Sequence, residues 1–532
     1  MISVEGKYTF ASLAAFISSS SNPASVSSSL EIEFLDPYSN SVFKLIPLNP
    51  HHSSIALHIV SFPAITYILQ DQNFETVAKY LLLQTKDREF ELVLLSENNN
   101  AFGHLHLRVS QTLVNFLNVE FDTKSLCSHF DLTEAGLSEG FSPELLLKSL
   151  EQEDHKSELV HVEIADAQEN ILTAGPSISI LEQAYVSDAT KNGWNANHSD
   201  YLFKFESEFA EYVGVKHAMA TSSCTGALHL SLLALGVGPG DEVLVPDITW
   251  VATASAIRYV GAKPIFVDID KSTWTIDVDE ARKLISPATK AIMPVHLYGY
   301  GAPMPEIMEL ATKHNLFVIE DAAPAIGTLI GSKFAGTYGD FGCYSFQGAK
   351  LLVTGEGGML VTNDSDLFAK AKKIQDHGRK PGTFWIEELG HKYKMNNITA
   401  ALGLGQIQRS ENQILRKQRI NNWYVEGLSG VPGISFQTEA SDTRSICWMT
   451  SFTLDPKRGV TRDELILELK KRGVDSRPVF PSISQYEIWG YQASIPSNSK
   501  FIGDNGINLP SGVLLNRNSV EKVIHHIQSI LK

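Results

Sequence analysis

Cys343-Tyr-Ser-Phe-Gln-Gly-Ala-Lys350-Leu-Leu-Val-Thr-Gly-Glu-Gly-Gly358 is the stretch on which the reading of this chain turns. Two strand-like runs, 343–346 and 358–362, flank a lysine set in mostly apolar sequence. Burying an ammonium without a partner is costly. Desolvation depresses a lysine pKa and makes the amine a nucleophile, as a Schiff base with an aldehyde cofactor requires. Glycines at 355, 357 and 358 predict a tight turn that brings backbone close to a ligand. The plainer alternative is a surface lysine snorkelling beside a glycine turn.

Around this stretch, from Lys216 onward, buried strands alternate with helices. The predicted strands are 242–245, 263–267, 291–295, 316–319, 343–346 and 358–362, and the predicted helices 225–235, 252–260 and 304–314. Near-continuous apolar strands joined through helices mean an α/β fold, a largely parallel sheet covered on both faces. A long helical segment from Ile414 leads into a smaller α+β region ending in a helix at 518–531. Upstream the pattern differs. A serine cluster at 18–29 reads as a loop, 30–35, 90–95 and 104–109 read as strands, and 74–83 as a short helix. Glu97-Asn-Asn-Asn predicts a hairpin turn between the last two strands. A charged stretch at 151–157 and the punctuation Thr173-Ala-Gly-Pro-Ser177 follow, with Ser177 placed to cap a helix. The expected domains are 1–172, an α+β domain of unknown role, 173–412, and 413–532.

Composition narrows the function classes. The chain has 532 residues, 43% of them apolar and 20% charged, enough for about three domains and unlike a disordered chain. With 44 Lys+Arg against 60 Asp+Glu, the net charge is −16. That balance argues against sequence-independent nucleic-acid binding, which needs a basic face. It leaves room for a small anion held by a few local cations. Cys127, Cys224, Cys343 and Cys447 are scattered, which fits neither a metal knuckle nor a disulfide framework and suggests a reducing compartment. No apolar run reaches the length of a spanning helix, and Met1-Ile-Ser-Val-Glu-Gly-Lys does not read as a signal peptide. The expectation is a soluble cytoplasmic protein, with no membrane or nucleic-acid partner.

Three further motifs carry chemistry. Glu320-Asp321 follows a predicted strand, and a carboxylate at the C-terminal end of a parallel strand points into the ligand crevice of such sheets. Asp321 there can hold a pyridinium nitrogen protonated, although a helix cap would use the same residue. Ser222-Ser-Cys-Thr-Gly-Ala-Leu-His-Leu230 opens a helix whose free N–H groups favour a phosphate, or is simply a capping sequence. Asp247-Ile-Thr-Trp250 would place Trp250 over a cofactor ring, or in the core. Two motifs are set aside. Gly236-Val-Gly-Pro-Gly240 precedes its strand and is read as a turn, not a dinucleotide loop. His104 and His106 share a strand face, but no further ligand lies nearby in sequence, so no metal site is expected.

Phosphate loop, stacking aromatic, strand-end aspartate, then lysine before Gly-Glu-Gly-Gly is the order of fold-type I pyridoxal phosphate enzymes. From about Thr173 onward the chain resembles the DegT/StrS-type nucleotide-sugar aminotransferases. Gly175-Pro-Ser, Gly238-Pro-Gly-Asp-Glu-Val243, Pro294-Val-His-Leu-Tyr-Gly299, Asp376-His-Gly-Arg379 and Asn396-Asn-Ile-Thr-Ala-Ala-Leu-Gly403 support the likeness. Arg477-Pro-Val-Phe480 and Asn508-Leu-Pro-Ser511 look most like the GDP-perosamine synthase branch.

The resemblance implies a three-layer fold-type I domain at 173–412, a small C-terminal domain at 413–532, and pyridoxal 5′-phosphate as cofactor. It implies that Lys350 holds the cofactor as a Schiff base and shuttles the proton, that Asp321 pairs with the ring nitrogen, and that Trp250 stacks. Ser345, Thr225 and the backbone at Cys224 and Gly226 would take the phosphate. Gly390-His-Lys-Tyr-Lys-Met395, with Lys392, would reach it from the neighbouring subunit of a homodimer. Arg379 and Arg477 would meet the nucleotide-sugar pyrophosphate. Three positions depart from the family pattern: Cys224 replaces Gly, Pro324 replaces Gln or Glu, and Lys392 replaces Asn. The implied activity is transfer of an amino group, with glutamate as donor, to a nucleotide-linked 4-keto-6-deoxy sugar. The alternatives are a 3-keto sugar substrate and a non-catalytic cofactor-binding regulator. The N-terminal hairpin resembles an acetyltransferase sheet, but without a glycine-rich acyl-CoA loop a non-catalytic scaffold or interaction domain is the preferred reading.

Overall fold

The computed structural model describes residues 171–532 apart from Ser179 and Gln492, and upstream the backbone of seven strands. In that upstream part β1 (Ile32–Leu35) pairs antiparallel with β2 (Val42–Leu45). β3 (Ser54–Ser61), β4 (Ala64–Gln70), β5 (Thr76–Lys86), β6 (Glu89–Leu95) and β7 (Ala101–Arg108) form a five-stranded antiparallel meander. β6 and β7 pair antiparallel, with Phe90 opposite Leu107, while the expected turn at Glu97 lies outside the described residues. The helix expected at 74–83 is instead strand β5, which pairs with β4 on one side and β6 on the other. Two ladders outweigh a weak local helical pattern. The serine cluster, the charged stretch at 151–157, Cys127 and the side chains of His104 and His106 lie outside the described residues.

The chain divides into two compact units, Met1–Gln168 with Ile178–Asp188, and Glu169–Ser177 with Ala189–Lys532. By this division α1 (Ile180–Asn192) is assigned to the first unit up to Asp188 and to the second from Ala189. Ser177 does not cap α1, which begins three residues later; its carbonyl accepts from the buried Arg409 guanidinium at 2.7 Å.

The second unit continues with α2 (Asp200–Val213), β8 (His217–Thr221), α3 (Cys224–Leu235), β9 (Glu242–Pro246), α4 (Ala252–Tyr259) and β10 (Lys263–Val267). α5 (Val278–Leu284), β11 (Thr289–Ile292), α6 (Met304–His314) and β12 (Phe317–Asp321) follow. After the short β13 (Leu329–Ile330) and β14 (Lys333–Phe334) come β15 (Phe341–Ser345) and β16 (Gly358–Thr362). The seven-stranded sheet has the order β10-β9-β11-β12-β15-β16-β8, parallel from β10 to β15, with β16 antiparallel to both its neighbours. β16 must run back because no crossover helix separates it from β15, and without one only an antiparallel return is reachable. β11 stops at Ile292, short of the predicted Val295, because Pro294 has no N–H to continue the ladder. Alternation sorts the two faces: Val243 and Val245 of β9 enter the core with Leu228 and Ile257, while Leu244 joins Ile292, Ile307 and Val318 on the other side.

α7 (Ser365–Gln375), α8 (Asn397–Gln408) and α9 (Ser410–Leu428) lead out of this layer; α9 starts four residues before the expected Ile414. β17 (Ile434–Phe436), β18 (Thr443–Arg444), β19 (Ser451–Leu454), α10 (Arg462–Lys471), β20 (Arg477–Pro478), α11 (Ser497–Asn505), β21 (Gly506–Asn508) and α12 (Arg517–Ile530) complete the chain. The antiparallel sheet β17-β19-β21-β20 has a core of its own, built on Tyr424, Phe452, Leu465 and Val520. Among the described residues no helix is long and apolar enough to cross a membrane.

One glycine is essential to how the layers meet. A Cβ on Gly358 would stand 2.5 Å from the Cys224 backbone nitrogen, so β16 passes the start of α3 only because that side chain is missing. Gly236, by contrast, ends α3 in the left-handed conformation (φ 73°), and the 236–240 segment is the turn expected. Gly358→Ala is expected to cost about 2–3 kcal/mol. Gly238→Ala, whose nearest neighbour would be 3.9 Å away, should stay within about 0.5 kcal/mol. Denaturant unfolding of the two variants measures both.

Candidate active site

β12 ends in two carboxylates with opposite duties, because successive strand residues face opposite ways. Glu320 turns to the 336–339 loop and accepts from the N–H groups of Gly336 (2.8 Å), Tyr338 (2.6 Å) and Gly339 (2.8 Å). His296 joins it through Nε2 at 3.0 Å, while its Nδ1 accepts from the Ala302 N–H at 3.1 Å, which assigns the proton to Nε2. Asp321 faces the other way. Its Oδ2 accepts from Thr253 Oγ1 of α4 at 2.7 Å and its Oδ1 from the Ala323 N–H at 3.1 Å. Burial raises the Asp321 pKa; the Thr253 and Ala323 hydrogen bonds and the positive charge of Lys350 oppose the rise. A buried carboxylate in this state gains from a cationic N–H donor.

The N-terminus of α3 lies beside Asp321. Ser223 caps it by accepting from the Gly226 N–H at 3.0 Å, so that group is already engaged, contrary to the expected role of the Gly226 backbone. Among the described residues nothing accepts from the N–H groups of Cys224 and Thr225, which leaves two donors at the positive end of the helix. Ser345, at the end of β15, is buried with its hydroxyl close to this end of the sheet. The cysteine at 224 does not crowd the loop: it packs into the core with Ala227 and Leu228. Burial pushes its thiol well up, so it is no nucleophile. Pro324 is buried and offers no polar side chain where the family has one.

Lys350 occupies the β15–β16 hairpin, closed by Gly348 N–H to Gly355 O (2.9 Å) and pinned by Val353 N–H to the Gln406 Oε1 of α8 (3.1 Å). The residue as a whole is half-buried, and its amine stands 4.0 Å from the centroid of the Trp448 ring. Burial lowers its pKa, opposed by Asp321 and Cys224. From Trp448 a line of rings continues through Tyr298 (6.0 Å), Phe480 (5.3 Å from Tyr298) and Trp250 (5.8 Å from Phe480). Of this wall, sequence reading assigned a role only to Trp250, and Trp448 went unnoticed. Tyr298 hydroxyl accepts from the Phe480 N–H and the Asn508 amide, which binds three distant segments together. Only Pro294-Val-His-Leu-Tyr-Gly299 signalled it.

The remaining expected residues sit further out. Trp250 is 62% exposed and touches Phe480. Arg379 pairs with Asp376, Lys392 reaches the same carboxylate at 3.7 Å, and Arg477 pairs with Asp475 at 3.0 Å. The 390–395 segment is tied to its own chain, with Ser222 N–H donating to Tyr393 O (2.6 Å), while Lys392 itself is exposed.

Asp247, unnoticed in sequence as a site residue, anchors the Trp250 turn. Its buried carboxylate accepts from the Ser484 N–H at 2.6 Å and from the Ser482 hydroxyl, and burial raises its pKa to about 6. A carboxyl raised in the folded state adds stability below its unfolded pKa and loses it as pH rises through about 6. Asp247→Asn keeps an acceptor and removes the titration. Its stability relative to the natural chain should therefore improve by about 2 kcal/mol between pH 4 and pH 7, read by denaturant unfolding at both values.

These residues fit pyridoxal phosphate: Asp321 suits the ring nitrogen, the two unengaged N–H groups of α3 suit the phosphate, and Lys350 offers the amine. Residues 176–528 match the DegT/DnrJ/EryC1/StrS aminotransferase family. The GDP-perosamine synthase of Caulobacter vibrioides is 38% identical over 364 residues, 68% of this chain and 98% of that protein. The GDP-perosamine synthase of Escherichia coli O157:H7 is 39% identical over 356 residues, 67% and 96%. Among solved structures, the aminotransferase TlmJ from Streptoalloteichus hindustanus superposes with a TM-score of 0.64 at 31% identity, covering 68% of this chain and 98% of that one. S. venezuelae DesV gives 0.62 at 29%, covering 66% and 94%. The chain is thus a pyridoxal-phosphate-dependent aminotransferase and belongs to the DegT/DnrJ/EryC1/StrS family.

Proposed function

We propose that this enzyme aminates the C4 carbonyl of a nucleotide-linked 4-keto-6-deoxy sugar, with glutamate as amino donor. The observation that carries the reading is the match, at 38–39% identity along nearly their whole length, to GDP-perosamine synthases. Pyridoxal phosphate supplies an electron sink that lets the carbon bearing the amine lose its proton. Asp321 holds the ring nitrogen protonated, its raised pKa reflecting a charge short of partners. Burial lowers the Lys350 pKa and so favours the free amine, the form that takes that proton and returns it. The N–H groups of Cys224 and Thr225, with Ser345, bind the phosphate.

The enzyme works as a homodimer, each protomer lending residues 390–395 to its partner's phosphate site. Support comes from the exposure of Lys392 and from Phe384 and Leu389, over 90% exposed in the adjoining loop. Arg379 and Arg477 exchange their aspartate partners for the substrate pyrophosphate on binding. Residues 173–412 form the cofactor domain, 413–532 the small domain, and 1–172 an interaction module.

The absorption spectrum of the purified enzyme tests the first half-reaction. Glutamate should convert the visible band of the lysine-linked cofactor to a pyridoxamine band, and Lys350→Ala should show no conversion. A panel of nucleotide ketosugars then tests the second, the position of the new amine in the product separating C4 from C3. Arg477→Ala should raise KM for the nucleotide sugar about tenfold with kcat little changed, since it removes one charge-assisted contact. An unchanged KM would remove Arg477 from the substrate site.

A further inference from the structure

The wall beside Lys350 is held at unusual cost. Cys447, immediately before Trp448, adopts a left-handed backbone (φ 51°), and so does Tyr298 (φ 54°) in contact with the Trp448 ring. A bulky residue in that region persists only where its surroundings impose it. Gly299 makes room: a Cβ there would stand 2.9 Å from the Trp448 nitrogen. The indole is then clamped at both ends. Its Nε1 donates to the carbonyl of Ala349, next to Lys350, at 2.9 Å. Its backbone carbonyl accepts from Lys417 Nζ of α9 at 2.8 Å, and Lys417 also donates to the Ser511 carbonyl. Lys417 is fully buried; burial pushes its pKa down to about 7, and among the described residues Cys447 is the one ionisable group opposing that, with no carboxylate facing it. A buried lysine with this setting and no part in the cofactor site needs a reason to be there.

We propose that Trp448 is the resting platform of the Lys350 amine whenever that amine is unlinked, and that Lys417 is a positioning residue that holds the platform in place through the Trp448 carbonyl. The inference rests on Lys350 being the reactive amine. An indole face 4.0 Å from the nitrogen favours ammonium over free amine. It therefore works with Asp321 and Cys224, the groups facing Lys350, against burial. The enzyme thereby sets how readily the lysine gives up its proton after each release.

The test uses the full chain freed of cofactor. The rate of acylation of Lys350, followed by peptide mass spectrometry against pH, gives the midpoint of its titration whether or not the chain transaminates. Trp448→Leu should lower that midpoint by about one pH unit, and Trp448→Phe by less. Lys417→Met should lower it in the same direction, and Lys417→Arg, which keeps the donors, should restore it. Loss of a positive charge near Lys350 would by itself move the midpoint upward, so the sign separates positioning from simple electrostatics. An unchanged midpoint in a folded Trp448→Leu chain, checked by thermal unfolding, overturns the platform. A shift in Trp448→Leu without one in Lys417→Met overturns the role of Lys417. If Lys417→Met does not fold, Lys417→Gln, which retains one donor, must lie between the natural chain and Trp448→Leu, or that role fails. Inability of glutamate to convert the cofactor band would instead sink the functional reading and leave the midpoints standing.

Discussion

Desolvation of two opposite charges at one end of the sheet is the constraint around which the structure is organised. Burial raises the pKa of Asp321 and lowers that of Lys350, and each group partly relieves the other. Neither is neutralised by a close partner: Asp321 receives only a hydroxyl and one backbone N–H, and Lys350 faces an indole. A protein interior tolerates such groups poorly unless a ligand completes them. Pyridoxal phosphate, with a ring nitrogen and an aldehyde, has the groups that would complete both.

Keeping those charges in place falls to polar residues that do no chemistry. Glu320 and His296 tie β12 to the loops behind it through four hydrogen bonds and a fixed imidazole tautomer. Asp247 does the same for β9 and the 482–484 segment. Gln406, Arg409, Gln413 and Lys417 line buried positions on successive turns of α8 and α9. Three of them clamp the Lys350 hairpin, the Ser177 segment and Trp448. The fourth, Gln413, has neither amide atom engaged, a site suited to buried water.

The elements of the cofactor domain were legible because their signals are local. Apolar runs of strand length, a capping serine at 223 and glycine stops at 236 are read from neighbours in sequence, and the helix at Met304–His314 emerged with its bounds intact. Reading failed where a partner distant in sequence decides. Thr76–Lys86 became a strand because two ladders claimed it, and Ser177 lost its capping role to Arg409, 232 residues away. Gly226 is the exception, overtaken by a local partner: the resemblance gave its N–H to the phosphate, and in the structure it donates to Ser223, three residues back.

Residue identity by itself determined the chemistry of this protein: the lysine before Gly-Glu-Gly-Gly, the aspartate ending a strand, and the helix opening on Ser223 each carry their reactivity in side chain and neighbours. What tertiary structure decided is the electrostatic state in which those groups wait. Nothing near Lys350 in sequence announces Trp448, ninety-eight residues on, or Lys417 behind it, yet their placement governs the lysine's surroundings. Burial and facing charge are sums over everything packed around an atom, and that sum exists only once the chain has folded.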